Sequence, residues 1–166
     1  MLIARTIAAA ALVTALAAAS VEAAKPAPSM PPMGPAPGAI VGARQGSMIM
    51  AANVLNTVDR ALKANAPAKS VTFPLSGLAK WAEHIPSQFA PSTSAVPGTR
   101  AKSEVWSNRQ EFLNKATDMA LAADMMLAAA RADDSAALTS ALEKARAACK
   151  GCHDSFQAPP PAAKAG

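Results

Sequence analysis

A chain of 166 residues suits a single domain. Its formal net charge is +5, but the Lys and Arg residues are scattered and not interleaved with aromatics, which excludes the pattern of a single-stranded nucleic-acid binder. No paired carboxylates, nucleophile–histidine arrangement or phosphate loop is visible, which excludes a recognisable hydrolase or transferase and argues against an enzyme.

The first 23 residues read as a signal peptide: Arg5 supplies a positive start, Ile7 to Ala19 is an apolar run too short to span a bilayer comfortably, and Val21-Glu22-Ala23 offers small residues for cleavage before Ala24. An uncleaved membrane anchor is the alternative. Cleavage removes Arg5 and Glu22 together, so the mature chain keeps its charge, a reserve for solubility or a mild preference for acidic redox partners. Residues 24–38 are rich in Pro, Ala and Gly and read as a linker.

The domain proper is expected over residues 39–158. From Ala39 to Asn65 the pattern is helical, with Val41, Met48, Leu55 and Leu62 recurring every seven residues and Ala51 and Val58 in the same stripe. A second helix is expected from Pro74, well placed in a first turn, to Ile85, burying Leu75, Leu78, Ala82 and Ile85. Residues 86–101 carry Pro91, Pro97 and Gly98 and read as an irregular connection. The third helix is expected from Lys102 to Ala130, with Val105, Phe112, Met119 and Met126 as one seven-residue stripe and Trp106, Leu113, Ala120 and Leu127 beside it. Asp133-Asp134-Ser135 offers N-cap side chains for a fourth helix. There Leu138, Leu142, Ala145, Cys149, Cys152 and Phe156 follow a 4-3-4-3-4 spacing. Pro159 opens a tail, 159–166, expected to be disordered. Four amphipathic helices without a strand pattern predict an all-α, antiparallel four-helix bundle.

Near the end stands Cys149-Lys150-Gly151-Cys152-His153, which reads C-x-x-C-H and uses both cysteines of the chain. This is the attachment signal for c-type haem: two thiols add to the two vinyl groups of one porphyrin, and the next residue, a histidine, binds the iron. A thioredoxin-type disulfide would want a strand before it, and a structural zinc site wants four ligands where this chain has two Cys and two His far apart. The helices are rich in Ala, with two Trp, four Phe and no Tyr, so one covalent haem c is expected inside the bundle, filling volume that these side chains leave open. Covalent attachment follows export, so the expected compartment is a bacterial periplasm, with no membrane association after signal cleavage.

The chain resembles the class II cytochromes c, the cytochrome c prime family, over residues 39–157. Arg44-Gln45-Gly46-Ser47-Met48 is similar to that family's R-Q-x-x-[Leu/Met]; Glu104-Val105-Trp106 with Phe112 is similar to its I-W-x-x-x-x-x-F; and a C-x-x-C-H at the end of the last helix, rather than near the start, selects this class. The resemblance implies thioethers on Cys149 and Cys152, His153 as proximal ligand and Met48 at the distal position, either as sixth ligand or as a shield over an open site. It also implies a frequent homodimer. Gln157 departs from the family, which usually has Arg or Lys there. Arg44, one turn before Met48, is a candidate contact for a haem propionate, with an ordinary surface arginine as the alternative. His84 points away from the buried face of its helix and is read as exposed; Trp81 and Trp106 are read as core aromatics, and the remaining methionines as core fillers. The leading expectation is a one-electron carrier with His/Met ligation that serves redox partner proteins. The alternative is a high-spin, five-coordinate protein that binds nitric oxide or carbon monoxide on the Met48 side.

Overall fold

A computed structural model describes residues 34–160; the signal peptide, most of the linker and the tail from residue 161 lie outside the described residues. Five α-helices are present among these: α1 (Pro37–Lys63), α2 (Thr72–Glu83), α3 (Glu104–Ser107), α4 (Arg109–Arg131) and α5 (Ser135–Phe156). The four longer ones form the antiparallel bundle, with short 3₁₀ turns at Ala68–Val71, Ile85–Gln88 and Pro91–Thr93 between them.

α1 opens at Pro37, where a missing N–H costs nothing, so the last two residues of the expected linker belong to its first turn. It ends before Asn65, which sits at φ 50°, a left-handed turn that Asn tolerates better than most residues. α2 begins at Thr72, two residues before the expected start, which places Pro74 inside the first turn. The two longest bundle helices near the C-terminus are joined by only three residues, Ala132–Asp134. Asp134 is the N-cap of α5, its Oδ1 accepting from the Ala137 N–H at 2.9 Å. Asp133, at φ 56°, turns the other way: its Oδ1 accepts from the Lys69 N–H at 3.0 Å and its Oδ2 meets Lys69 Nζ at 3.0 Å, which ties the α1–α2 turn to the α4–α5 turn. The backbone N–H and ammonium of Lys69 together hold the Asp133 carboxyl below the usual carboxylate range.

The expected third helix is not continuous. Asn108 leaves helical space, at φ −111° and ψ 52°, and separates the single turn of α3 from α4. Asn is a poor interior helix residue, and here its side chain donates to Glu111 Oε2 at 2.8 Å in the first turn of α4. The apolar register survives the break: Val105, Phe112, Met119 and Met126 are all buried. The expected stripes of α1, α2 and α5 are likewise turned inward, with Leu55, Val58, Leu75, Leu78, Leu138 and Leu142 in the core.

Candidate functional site

One end of the bundle holds a cavity of about 360 Å³, within the usual size of ligand pockets. Cys149, Cys152 and His153 line it from α5, Met48 and Arg44 from α1, Trp81 from α2, and Lys115 and Met119 from α4. The sequence-predicted site residues are thus brought together, although 100 residues of chain separate Met48 from the C-x-x-C-H. His84 is exposed and takes no part in the wall.

The 4-3 spacing along α5 turns both cysteines toward the cavity. Both are free thiols, partly buried and packed against the core. Cys149 Sγ lies 3.7 Å from Met119 Sδ, so a methionine read as a core filler is a direct neighbour of a cavity thiol. Burial raises the Cys149 thiol above its ordinary pKa. Burial, and then the neighbouring Cys149, push Cys152 up to about 11, with Lys115 opposing. His153 is exposed at the cavity mouth, on the face of α5 adjoining the thiols. Loss of solvation, then the charge of Arg100, hold its imidazole below the ordinary histidine value, with Asp154 opposing. A neutral imidazole keeps the lone pair that a metal needs.

Arg44 is neither a surface arginine nor free to swing. It is buried, stacks 4.2 Å above the Phe89 ring, and donates from Nη1 to the Gln88 carbonyl at 3.1 Å and Thr93 Oγ1 at 3.4 Å. Nη2 donates to Thr99 Oγ1 at 2.8 Å. Each such bond contributes about 1 kcal/mol net, and together they pin the connection over residues 88–99 to α1. Burial lowers the pKa of this guanidinium. Phe89 leads on to Phe112, 4.8 Å away, and Phe112 to Phe156 at 5.4 Å, both edge-to-face; this aromatic row forms part of the wall.

These residues fit a covalently held haem. Two free thiols one helical turn apart, and an imidazole directly after the second, line a largely apolar cavity that cations flank. Trp81 supplies a further sign: its Nε1 is buried without a hydrogen-bond partner in the protein, the kind of donor that a carboxylate or other acceptor in the cavity would satisfy. Trp106, by contrast, donates to the Phe89 carbonyl at 3.1 Å and is a core aromatic as expected. Sequence reasoning missed Phe89, Arg100 and Lys115 as parts of the site. Phe89 and Arg100 lie in the irregular connection, where no periodicity marks a buried face, and Lys115, three residues after Phe112 and four before Met119, borders the apolar stripe of α4, where a cation reads as a solvated flank.

The profile of the family described as Cytochrome C' matches residues 39–157. The chain is 32% identical over 123 residues to a cytochrome c′ of Rubrivivax gelatinosus, covering 73% of this chain and 95% of that protein. It is 28% identical over 119 residues to cytochrome c-556 of Agrobacterium tumefaciens, covering 70% and 95%. Among solved structures, the crystal structure of the Rubrivivax gelatinosus cytochrome c′ superposes with a TM-score of 0.67 over 73% of this chain and 96% of that one. A ferrous variant of cytochrome c′ from Alcaligenes xylosoxidans with bound nitric oxide is 26% identical, with a TM-score of 0.67 over 75% and 97%. With its thiol pair and the histidine that follows them lining one cavity of a four-helix bundle, the chain belongs to the cytochrome c′ family, and is a haem protein whose cofactor is one covalent haem c.

Proposed function

We propose that Cys149 and Cys152 carry the haem, that His153 is its axial ligand, and that the Met48 side of the cavity is a binding site for a small neutral gas such as nitric oxide or carbon monoxide. Haem c supplies an iron that cycles between ferric and ferrous states and accepts a small axial ligand. The protein does the rest. α5 orients the thiols and the imidazole as one unit, while Met48, Phe89 and Phe112 give an apolar lining that admits a neutral diatomic and disfavours water and anions. The observation that carries this reading is the cavity itself, lined by the C-x-x-C-H residues from α5 and by Met48 from α1. Nitric oxide bound to a relative of the same fold supports it.

The carrier reading, with Met48 as sixth ligand, draws on that same Met48, half-buried on the cavity wall. Absorption spectra of the purified holoprotein, ferric, ferrous and ferrous with carbon monoxide, decide between them. A high-spin ferric spectrum and prompt uptake of carbon monoxide are expected. A low-spin ferric spectrum with a far-red sulfur-to-iron band would establish the carrier instead. Periplasmic location is part of the proposal, since attachment follows export. Among the described residues no helix is long and apolar enough to cross a membrane.

We also propose self-association through α1, where Ile49 and Met50 are 64% and 70% exposed side by side. Met50→Glu should shift sedimentation toward the monomer at micromolar concentration. A wild-type chain that sediments as a monomer at millimolar concentration removes this part of the proposal.

A further inference from the structure

We propose that Arg100, reaching in from the connection ahead of α3, is the fixed cation on the His153 side of the haem and raises the reduction potential of the iron. This rests on the assignment of His153 as axial ligand made above.

The last turn of α5 carries no Lys or Arg; His153 is its only basic residue, and the C-cap, Gln157, is neutral. The carbonyls at the end of α5 are met by another segment. Residues 100–102 run antiparallel to the end of the helix, with Ala101 bridged to Gln157. The Lys102 N–H donates to the Phe156 carbonyl at 2.9 Å, and the Ala158 N–H donates to the Arg100 carbonyl at 2.8 Å. Lys102 Nζ donates to the carbonyls of Asp154 at 2.9 Å and Ser155 at 3.2 Å. The Arg100 guanidinium itself is forked onto one carbonyl: Nε and Nη2 donate to Ala158 at 3.0 and 2.8 Å. Its backbone and its side chain are therefore anchored to the same residue, and it has little freedom to swing away.

Three features give that anchored charge electrical effect. Arg100 lines the same cavity as His153 and Gln157. Its partner is a carbonyl, not a carboxylate, and among the described residues it forms no ion pair, while the nearby Asp154 is taken by Lys150. An arginine does not lose its proton at any pH the protein meets, so the charge is permanent. Ferric haem carries one more positive charge than ferrous haem, so a fixed neighbouring cation favours the reduced state. Two other cations stand in the wall: Arg44, whose guanidinium is bonded to Gln88 and Thr99, and Lys115, which lies over the C-x-x-C-H turn of α5, where a Cβ on Gly151 would meet its Nζ at 3.9 Å.

The test is a redox titration of holoprotein carrying Arg100→Gln, Arg100→Lys, or Arg100→Gln with Gln157→Arg, with Lys115→Gln as a comparison. At the wild-type midpoint, Arg100→Gln should shift the ferrous-to-ferric ratio toward ferric by roughly threefold to tenfold, tenfold being about 59 mV for one electron. Arg100→Lys loses the fork onto Ala158 but keeps the charge, and should stay within about twofold of wild type. Gln157→Arg should restore the ratio in the Arg100→Gln background, and that double variant carries the test if Arg100→Gln alone fails to hold haem. A purely structural arginine predicts equal effects of Arg100→Gln and Arg100→Lys, or none, and either result overturns the proposal. Spectra of His153→Ala are read separately: a spectrum unchanged by that substitution overturns the ligand assignment itself, and this inference with it.

Discussion

Replacing Cys149 and Cys152 together with serine is expected to yield a chain from which all haem is removed by acid–acetone and which no longer melts cooperatively once it is removed. The wild-type holoprotein should keep its pigment through the same extraction, because thioethers survive denaturation. The loss of stability follows from the cavity. Large-to-small substitutions cost about 24 cal/mol per Å³ of space left unfilled, so about 360 Å³ corresponds to at most about 9 kcal/mol for a cavity that is open at one end. Total domain stabilities are about 5–15 kcal/mol, so this one volume is comparable with the whole margin. The core around it offers little reserve: the buried faces of α4 and α5 include Ala116, Ala122, Ala123, Ala129, Ala130, Ala141 and Ala145. A serine variant that melts cooperatively without haem, at the wild-type temperature, would show that the bundle does not depend on its cofactor.

At Met48 the expected result is asymmetric. Met48→Leu keeps the side-chain volume and should leave the ferric spectrum and carbon monoxide uptake close to wild type. Met48→Ala opens the apolar wall and should speed carbon monoxide association by about tenfold, equivalent to about 1.4 kcal/mol of steric barrier. Stopped-flow mixing of the ferrous proteins with carbon monoxide reads both. The opposite pattern belongs to the carrier: loss of a far-red band in Met48→Leu, conversion to high spin, and carbon monoxide binding only after substitution. A thioether bound to iron also raises the potential, so that pattern would come with a marked fall in midpoint for Met48→Leu.

Much of this site was legible because its residues obey spacing rules. The C-x-x-C-H has a fixed geometry on a helix, and the 4-3 run through Leu138, Leu142 and Ala145 places its thiols on the inner face. Met48 shares the seven-residue stripe of Val41 and Leu55. The residues that escaped sequence reading follow no such rule. Phe89 and Arg100 reach the cavity from an irregular connection, positioned by long-range bonds such as Arg44 to Gln88 and Arg100 to Ala158. The break at Asn108 is hidden because the apolar period runs through it unaltered: one residue leaves helical space while the inner face keeps its register. The position of Arg44 on α1, one turn before Met48, is legible from the helical period, but its burial against Phe89 depends on a loop that no such period describes.

The three-residue turn between α4 and α5 also has a consequence for the order of assembly. Two long helices joined so closely pair through contacts near in sequence, which form early because little chain entropy is lost in bringing them together. Arg44 and Met48 must find partners far along the chain, so α1 docks late. The attachment motif on α5 is therefore supported by α4 while the side later covered by α1 still stands open, a half-built groove into which a flat porphyrin can slide before the last helix closes over it. Pulse-labelling hydrogen exchange on the refolding holoprotein should find amides of α4 and α5 protected ahead of those of α1; simultaneous protection would mean that the bundle closes in a single step.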